Sequence, residues 1–123
     1  MSSLLEQKDK FIETSIEKIS KAVTQTDMNI EAFDNMEISE KKLNQLIARI
    51  EGYEWISNSQ KNALKESQKA WEKYAKAQVS FAALHFEGGT IYPLIYDSEM
   101  DALIKQRITQ LTAIIDDLRE LYR

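Results

Sequence analysis

The sequence predicts an all-α fold, a bundle of about four helices. Three glycines and one proline in 123 residues are too few for a β-sandwich or barrel, which needs frequent turns. Apolar residues make up 43% of the chain and charged residues 29%, which is the balance of a folded globular protein. Apolar side chains also recur at helical spacing along most of the chain. We therefore expect one helical domain over residues 1–123.

The first two helices are predicted to follow one another closely. The first, over residues 3–22, carries an apolar stripe at Ile12, Ile16, Ile19 and Val23. Thr24 and Asp27 then match a capping box, in which a hydroxyl and a carboxylate satisfy free N–H groups. A second helix should therefore begin near residue 25 and end near Gly52.

A second capping-box match, Ser57 with Gln60, predicts the start of a third helix. This helix should end near Glu87. Gly88 and Gly89 follow, and glycine accepts the left-handed conformation that is common just past a helix end.

The connection over residues 88–96, GGTIYPLIY, is unusually apolar for a loop. Pro93 fixes its own φ and disfavours helix at Tyr92, so we expect an extended strap that lies against the helices. Ser98 and Asp101 offer a start for the last helix, which should run to the C-terminus with near-heptad apolar spacing.

No set of residues predicts catalysis, so we expect a protein that is not an enzyme and that uses no metal or cofactor. His85 is the single histidine and there is no cysteine, which excludes His-rich and Cys-ligated metal sites. Nucleotide-binding glycine motifs and nucleophile motifs are also missing.

The net charge of −4 disfavours nucleic acid as a partner, because phosphate binding needs a concentrated basic surface. No apolar run is long enough for a signal core or a membrane span. As written, the chain is expected in the cytoplasm. Removal of a leader before the first residue would instead place it in the periplasm or outside the cell.

Charge is distributed unevenly along the chain. Residues 27–54 contain seven acidic and three basic residues, whereas residues 61–76 contain five lysines and two glutamates. We favour attraction between antiparallel neighbouring helices across an exposed seam. In the alternative, the acidic segment, with Glu31 and Asp34, steers a basic protein partner toward it.

Thr90, Tyr92 and Tyr96 lie in the connection between helices, where binding residues are common. Tyrosine suits interfaces because it has an apolar body and a polar tip. Packing against the helices is the interpretation we favour for these tyrosines. In the alternative, in which these positions contact a partner, the candidate partner-binding residues are Thr90, Tyr92, Tyr96, Glu31 and Asp34.

An ordered set of short motifs resembles the LprI-type lysozyme-inhibitor family. The motifs are Leu43-Asn44, Gln68-Lys69-Ala70-Trp71, Tyr74, GGTIYPL at 88–94 and Gln106-Arg107, preceded by Thr24-Gln25-x-x-Met28-Asn29. The resemblance covers residues 24–115 and leaves an additional N-terminal helix, residues 1–23, outside it.

The resemblance implies framework roles for the motif residues. Trp71, Tyr74 and Arg107 would pack the third helix on the fourth, and Arg107 could reach the backbone carbonyls of the GGT turn. The other residues with implied structural roles are Leu43, Asn44, Gln68, Gly88, Gly89 and Pro93.

The family implies a bacterial, non-enzymatic inhibitor of lysozyme or another cell-wall hydrolase. Many relatives carry cysteines where this chain has Glu31, Val79 and Glu99. This chain has no cysteine, and that departure from the family's pattern argues against export and against a lysozyme target. The alternative is an immunity- or chaperone-type protein that binds a dedicated toxin or secreted partner. A third interpretation is a scaffold that forms homo-oligomers through its first helix.

Overall fold

The computed structural model describes the backbone of residues 4–122 and the side chains of residues 24–122. Over that part of the chain it has three α-helices and no strand. They are α1 (Leu4–Glu51), α2 (Asn58–Ala83) and α3 (Tyr92–Leu121), with a 3₁₀ helix η1 (Leu84–Phe86) after α2. The all-α class is confirmed. A bundle of about four helices is not.

The difference in helix number arises at Thr24, where α1 departs from helical geometry. Thr24 has φ 86° and ψ 170° inside an otherwise helical segment, a conformation that β-branched residues rarely adopt. The break falls at the residue that was predicted to cap the second helix. The apolar stripe predicted from Ile12 to Val23 lies outside the described side chains.

The start of α2 follows the prediction. Gln60 donates its backbone N–H to Ser57 Oγ over 3.1 Å, and Ser57 donates its own to Gln60 Oε1 over 2.8 Å. The capping box is therefore complete. The α-helical geometry ends at Ala83, before the predicted Glu87, and Gly88 takes a positive φ of 83° after η1.

The predicted extended strap over residues 88–96 is wrong, and so is the predicted start of the last helix at Ser98. α3 begins at Tyr92 and has Pro93 in its first turn. The first N–H groups of a helix have no acceptor within the helix, so proline loses no hydrogen bond there and its fixed φ suits the helix. The apolar segment TIYPLIY is therefore mostly the start of a helix, in which Tyr92, Leu94, Ile95 and Tyr96 are half-buried.

Three side-chain hydrogen bonds show how α1 is oriented relative to α3. They join Asn29 to Thr90, Ser39 to Asp101 and Arg119 to Tyr53, pairs that are 61, 62 and 66 residues apart. Since this separation stays nearly constant, α1 and α3 run parallel. α2 runs antiparallel to α3, because its early residue Gln68 meets Arg107 and its later residue Val79 packs on Leu103.

α3 is the central helix of the described structure. It contacts both α1 and α2, whereas α1 and α2 have almost no close backbone contact with each other. The larger buried cluster joins α1 to α3 and consists of Leu43, Ile50, Ile56, Ile104, Leu111 and Ile115. The smaller one joins α2 to α3 and consists of Ala75, Val79 and Leu103. Trp71 and Met100 pack against both clusters, and an open groove remains between α1 and α2.

Candidate protein-binding surface

A groove of about 330 Å³ lies between α1 and α2, with α3 as its floor. We refer to it as the α1–α2 groove. Its apolar lining comes from all three helices and consists of Met36, Leu43, Trp71, Ala75, Tyr96, Met100 and Ile104. Methionine and aromatic side chains give a surface that can adapt to an apolar group of a partner.

The rim of the groove is polar and mainly acidic. Glu40 and Asn44 come from α1, and Gln68, Glu72 and Lys76 come from α2. An apolar centre surrounded by a polar rim is the usual arrangement of a protein–protein contact.

A second, more open depression of about 840 Å³ lies on the outer side of α1. The described residues that line it all belong to α1, and they include Asp34, Glu37, Ile38 and Lys41. Glu40 and Asn44 line both depressions. The groove and the outer side of α1 therefore form one continuous surface.

Large apolar side chains are exposed along this outer side. Ile30, Phe33 and Ile38 are each about half exposed, at 54%, 45% and 54%. They alternate with carboxylates on the helix surface that faces away from α3. We define the outer α1 face as Ile30, Glu31, Phe33, Asp34, Glu37 and Ile38.

The charges of this surface are available to a partner. Four carboxylates (Asp34, Glu37, Glu40 and Glu72) and two lysines (Lys41 and Lys76) line the two depressions. The ion pairs found among the described side chains, Lys69–Glu66 and Lys105–Asp101, each lie within one helix. An acidic surface of this kind attracts basic proteins and accelerates their association.

The favoured explanation of the uneven charge, attraction between neighbouring helices across an exposed seam, stays a prediction. Side chains of α1 and α2 line the same depressions, with Glu40 and Lys76 in one and Glu51, Lys65 and Lys69 in another. Neither of the two ion pairs among the described side chains joins these helices.

Arg107 lies on α3 and forms two side-chain hydrogen bonds to α2, the helix that forms one wall of the groove. It is only 7% exposed and donates from Nε to Gln68 Oε1 over 3.1 Å and from Nη2 to Ser67 Oγ over 2.9 Å. Burial lowers the pKa of Arg107, because the charged form loses hydration. The predicted reach of Arg107 to the GGT turn is wrong, since its donors fix the groove residue Gln68.

Asp97 follows Tyr96 on α3 and is partly buried. Burial raises its pKa, because a desolvated carboxylate is less stable than the neutral acid. No hydrogen bond or ion pair from the described side chains compensates for this loss of hydration.

The five candidate partner-binding residues do not form a single cluster. The Thr90 carbonyl accepts a 2.9 Å hydrogen bond from Asn29 Nδ2, which ties the GGT turn to α1. The rings of Tyr92 and Tyr96 lie 5.9 Å apart, and Tyr96 also lines the groove. Glu31 and Asp34 lie on the outer α1 face and are exposed.

The motif residues are brought together more closely. Leu43, Asn44, Gln68 and Trp71 all line the α1–α2 groove, although they come from two helices with little direct contact. Tyr74 lies elsewhere and is 55% exposed. Gly88 and Gly89 form the turn before α3, and Pro93 lies in its first turn.

Sequence reasoning missed Ile30, Phe33 and Ile38 as surface residues. The helical spacing indicated this, because Ala32, Met36, Ser39 and Leu43 share the side of α1 that faces α3 and these three residues lie on other sides of the helix. It also missed Met36 and Met100, since the groove they line depends on how three separate segments pack.

Among the described residues, no group of three or more His, Cys, Asp or Glu side chains could hold a metal ion. His85 is exposed and its ring lies edge-on to Phe86 at 5.2 Å. Among the described residues, no helix is long and apolar enough to cross a membrane.

Comparison with known proteins gives one match. The family model described as lysozyme inhibitor LprI matches residues 16–111. This range contains all of α2, the α1–α2 groove and the GGT turn. No curated protein and no solved structure matches the chain.

Proposed function

The chain belongs to the LprI lysozyme-inhibitor family, and we propose that it inhibits lysozyme or a related cell-wall hydrolase by binding the enzyme and covering its cleft. The single observation that carries this proposal is the family match over residues 16–111. Inhibition of this kind requires only a stable complex, so the inhibitor needs no catalytic group of its own.

The outer α1 face and the α1–α2 groove are the surface we assign to the enzyme. Asp34 and Glu37 lie beside Ile38 in the outer depression, so charge and apolar area occur together. The carboxylates would steer a basic hydrolase toward the inhibitor. The apolar side chains would then contribute through their removal from water.

The groove would accept one apolar side chain of the enzyme. Trp71 of α2 and Met100 of α3 line it, and Glu40 and Glu72 lie on its rim. An apolar side chain next to a lysine or arginine on the enzyme fits this combination. Aromatic pockets of this kind commonly carry much of the binding energy of an interface.

The test compares charge-reversal variants in a turbidity assay on bacterial cell walls. We expect D34K/E37K to raise the inhibitor concentration needed for half inhibition by about tenfold or more. The two lysines would repel a basic enzyme that the two carboxylates attract. The matched control is D116K/D117K on α3, which makes the same change in net charge at two exposed positions.

The control should change the half-inhibition concentration by less than about threefold, since its charges lie outside the assigned surface. Equal losses in the two variants would show that only net charge matters. That result would remove the assignment of the outer α1 face.

A second candidate is an immunity- or chaperone-type protein that binds a dedicated toxin or secreted partner. The observation that favours it is the groove, because an apolar slot with a charged rim can accept a segment of many proteins. Co-purification from native extract separates the two candidates. Recovery of a toxin rather than a cell-wall hydrolase would favour the second.

A further inference from the structure

α2 and η1 expose a second apolar surface, on the side away from α3. Phe81 is 77% exposed, Leu84 is 63% exposed and Tyr74 is 55% exposed. Ala75 and Val79, which face α3, are buried. Exposed side chains of this size, grouped along one helix, are typical of a contact surface.

Lysines accompany these apolar side chains. Lys69 and Lys73 are exposed on α2, in a stretch with five lysines and two glutamates over residues 61–76. Lys69 makes an ion pair with Glu66 at 3.6 Å, but both side chains are more than three-quarters exposed. Such a pair contributes little and leaves the lysine available. We define the outer α2 face as Lys69, Lys73, Tyr74, Phe81 and Leu84.

The outer α1 face and the outer α2 face complement one another. Each combines three large exposed apolar side chains with charges mainly of one sign, acidic on α1 with Lys41 nearby and basic on α2 with Glu66 nearby. The apolar positions span nine residues on α1 (Ile30 to Ile38) and eleven on α2 and η1 (Tyr74 to Leu84). At the rise of a helix the first and last positions are about 12 Å and about 15 Å apart, so the two apolar segments are similar in length.

Among the described side chains, no ion pair joins α1 to α2, so the carboxylates of the outer α1 face and Lys73 remain available to a second copy. We propose that the chain self-associates head to tail, with the outer α1 face of one copy bound to the outer α2 face of the next. Burial of the apolar side chains would stabilise the contact, and the carboxylates facing lysines would set its orientation.

The contact joins two different surfaces, so it is heterologous. However many copies join, one outer α1 face stays unoccupied at one end of the assembly and one outer α2 face at the other. Association should therefore continue beyond the dimer as concentration rises, unless the geometry closes a ring. With only three large apolar side chains on each face, we expect the association to be weak and reversible.

The experiment uses the full chain and two variants, D34K/E37K on α1 and K69E/K73E on α2. Analytical ultracentrifugation should show that the average mass of the unmodified chain rises with concentration. Raising the salt from about 0.05 M to about 0.5 M should reduce this rise, because the Debye length shortens severalfold. Each variant alone should remain monomeric.

A mixture of the two variants gives the sharpest result. Each variant has one intact face, and the two intact faces are complementary. The two altered faces are complementary as well, with lysines on α1 of one variant and glutamates on α2 of the other. An equimolar mixture should therefore associate as the unmodified chain does, with the two variants alternating along the assembly. The combined variant D34K/E37K/K69E/K73E should associate again, because the charges on both faces change sign and the two faces are again opposite in charge.

Monomeric unmodified chain at all concentrations in low salt would overturn the proposal. So would a mixture that stays monomeric while the unmodified chain associates. Circular dichroism melting curves establish that each variant is folded, since all four positions are exposed.

This inference does not depend on hydrolase inhibition, although both use the outer α1 face. K69E/K73E should abolish self-association and leave hydrolase binding intact, whereas D34K/E37K should weaken both. Failure of one proposal can therefore be distinguished from failure of the other.

Discussion

Arg107 is a cation between α2 and α3 whose hydrogen-bond partners in the structure are neutral. Ser67 and Gln68 accept its hydrogen bonds, and no carboxylate among the described side chains forms an ion pair with it. Its burial therefore costs hydration free energy. The side chain fixes the position of Gln68 and thereby the shape of the α1–α2 groove.

We expect Arg107→Ala to lower the free energy of unfolding by about 2–3 kcal/mol. The substitution leaves a cavity and leaves Ser67 and Gln68 without their hydrogen-bond donor. Arg107→Met should cost less than half as much, since it retains the volume and removes the buried charge. Urea unfolding measures both changes.

The control for this series is Arg119→Ala. Arg119 is exposed and donates a 3.0 Å hydrogen bond to Tyr53 Oη, so its loss should cost less than about 1 kcal/mol. Equal losses for Ala variants at both positions would contradict the role we assign to Arg107.

Asp97 gives a prediction that depends on pH. Its pKa is raised in the folded protein above the usual 3.8, so the folded state holds its proton more tightly than the unfolded state does. Its contribution to stability is therefore largest below pH 3.8 and falls as pH rises through the raised pKa. At neutral pH the ionised carboxylate therefore favours the folded state less than the neutral acid would.

Asp97→Asn should accordingly raise the melting temperature at pH 7, and the gain should shrink as the pH falls toward 4. Melting curves over this range check the sign, with Asp116→Asn as an exposed control. A gain that stays constant with pH, or a loss at pH 7, would contradict this account of Asp97.

At the scale of elements, the first turn of α2 depends on the reciprocal contacts of Ser57 and Gln60. Ser57→Ala should destabilise the protein by about 1 kcal/mol, because it removes the acceptor for a free N–H group. Ser59→Ala is the matched control, since Ser59 lies inside the helix and is exposed. Thermal or urea unfolding should show little change for the control.

Local sequence signals predicted some helix ends better than others. The Ser57–Gln60 pair and the positive φ at Gly88 were predictable because they depend on residues close together in the chain. Pro93 was misjudged, because the same residue that disfavours helix before it is also favoured in a first turn.

The arrangement of the helices was not predictable in the same way. Parallel α1 and α3 are held by Ser39–Asp101 and similar contacts about 60 residues apart. Periodicity identifies a buried face but does not name the helix that covers it. α3 covers the larger part of the buried faces of both α1 and α2, and the periodicity of the sequence alone does not indicate this.

At the scale of the whole molecule, the motif residues located the candidate site better than the charges or the loop tyrosines did. Leu43, Asn44, Gln68 and Trp71 meet in one groove, although each motif is short. Tyr96 joins them there, while Glu31 and Asp34 lie on the outer α1 face. The continuity between the two regions through Glu40 and Asn44 could be recognised only from the packed helices.

The central claim is that this member of the LprI family binds and inhibits a cell-wall hydrolase. The most direct measurement titrates the purified chain into a lysozyme assay on cell walls, with lysozymes of several types at low salt. The account predicts that for at least one type the activity falls as the inhibitor approaches the enzyme's concentration. Undiminished activity of every lysozyme at a large molar excess of the chain would contradict it.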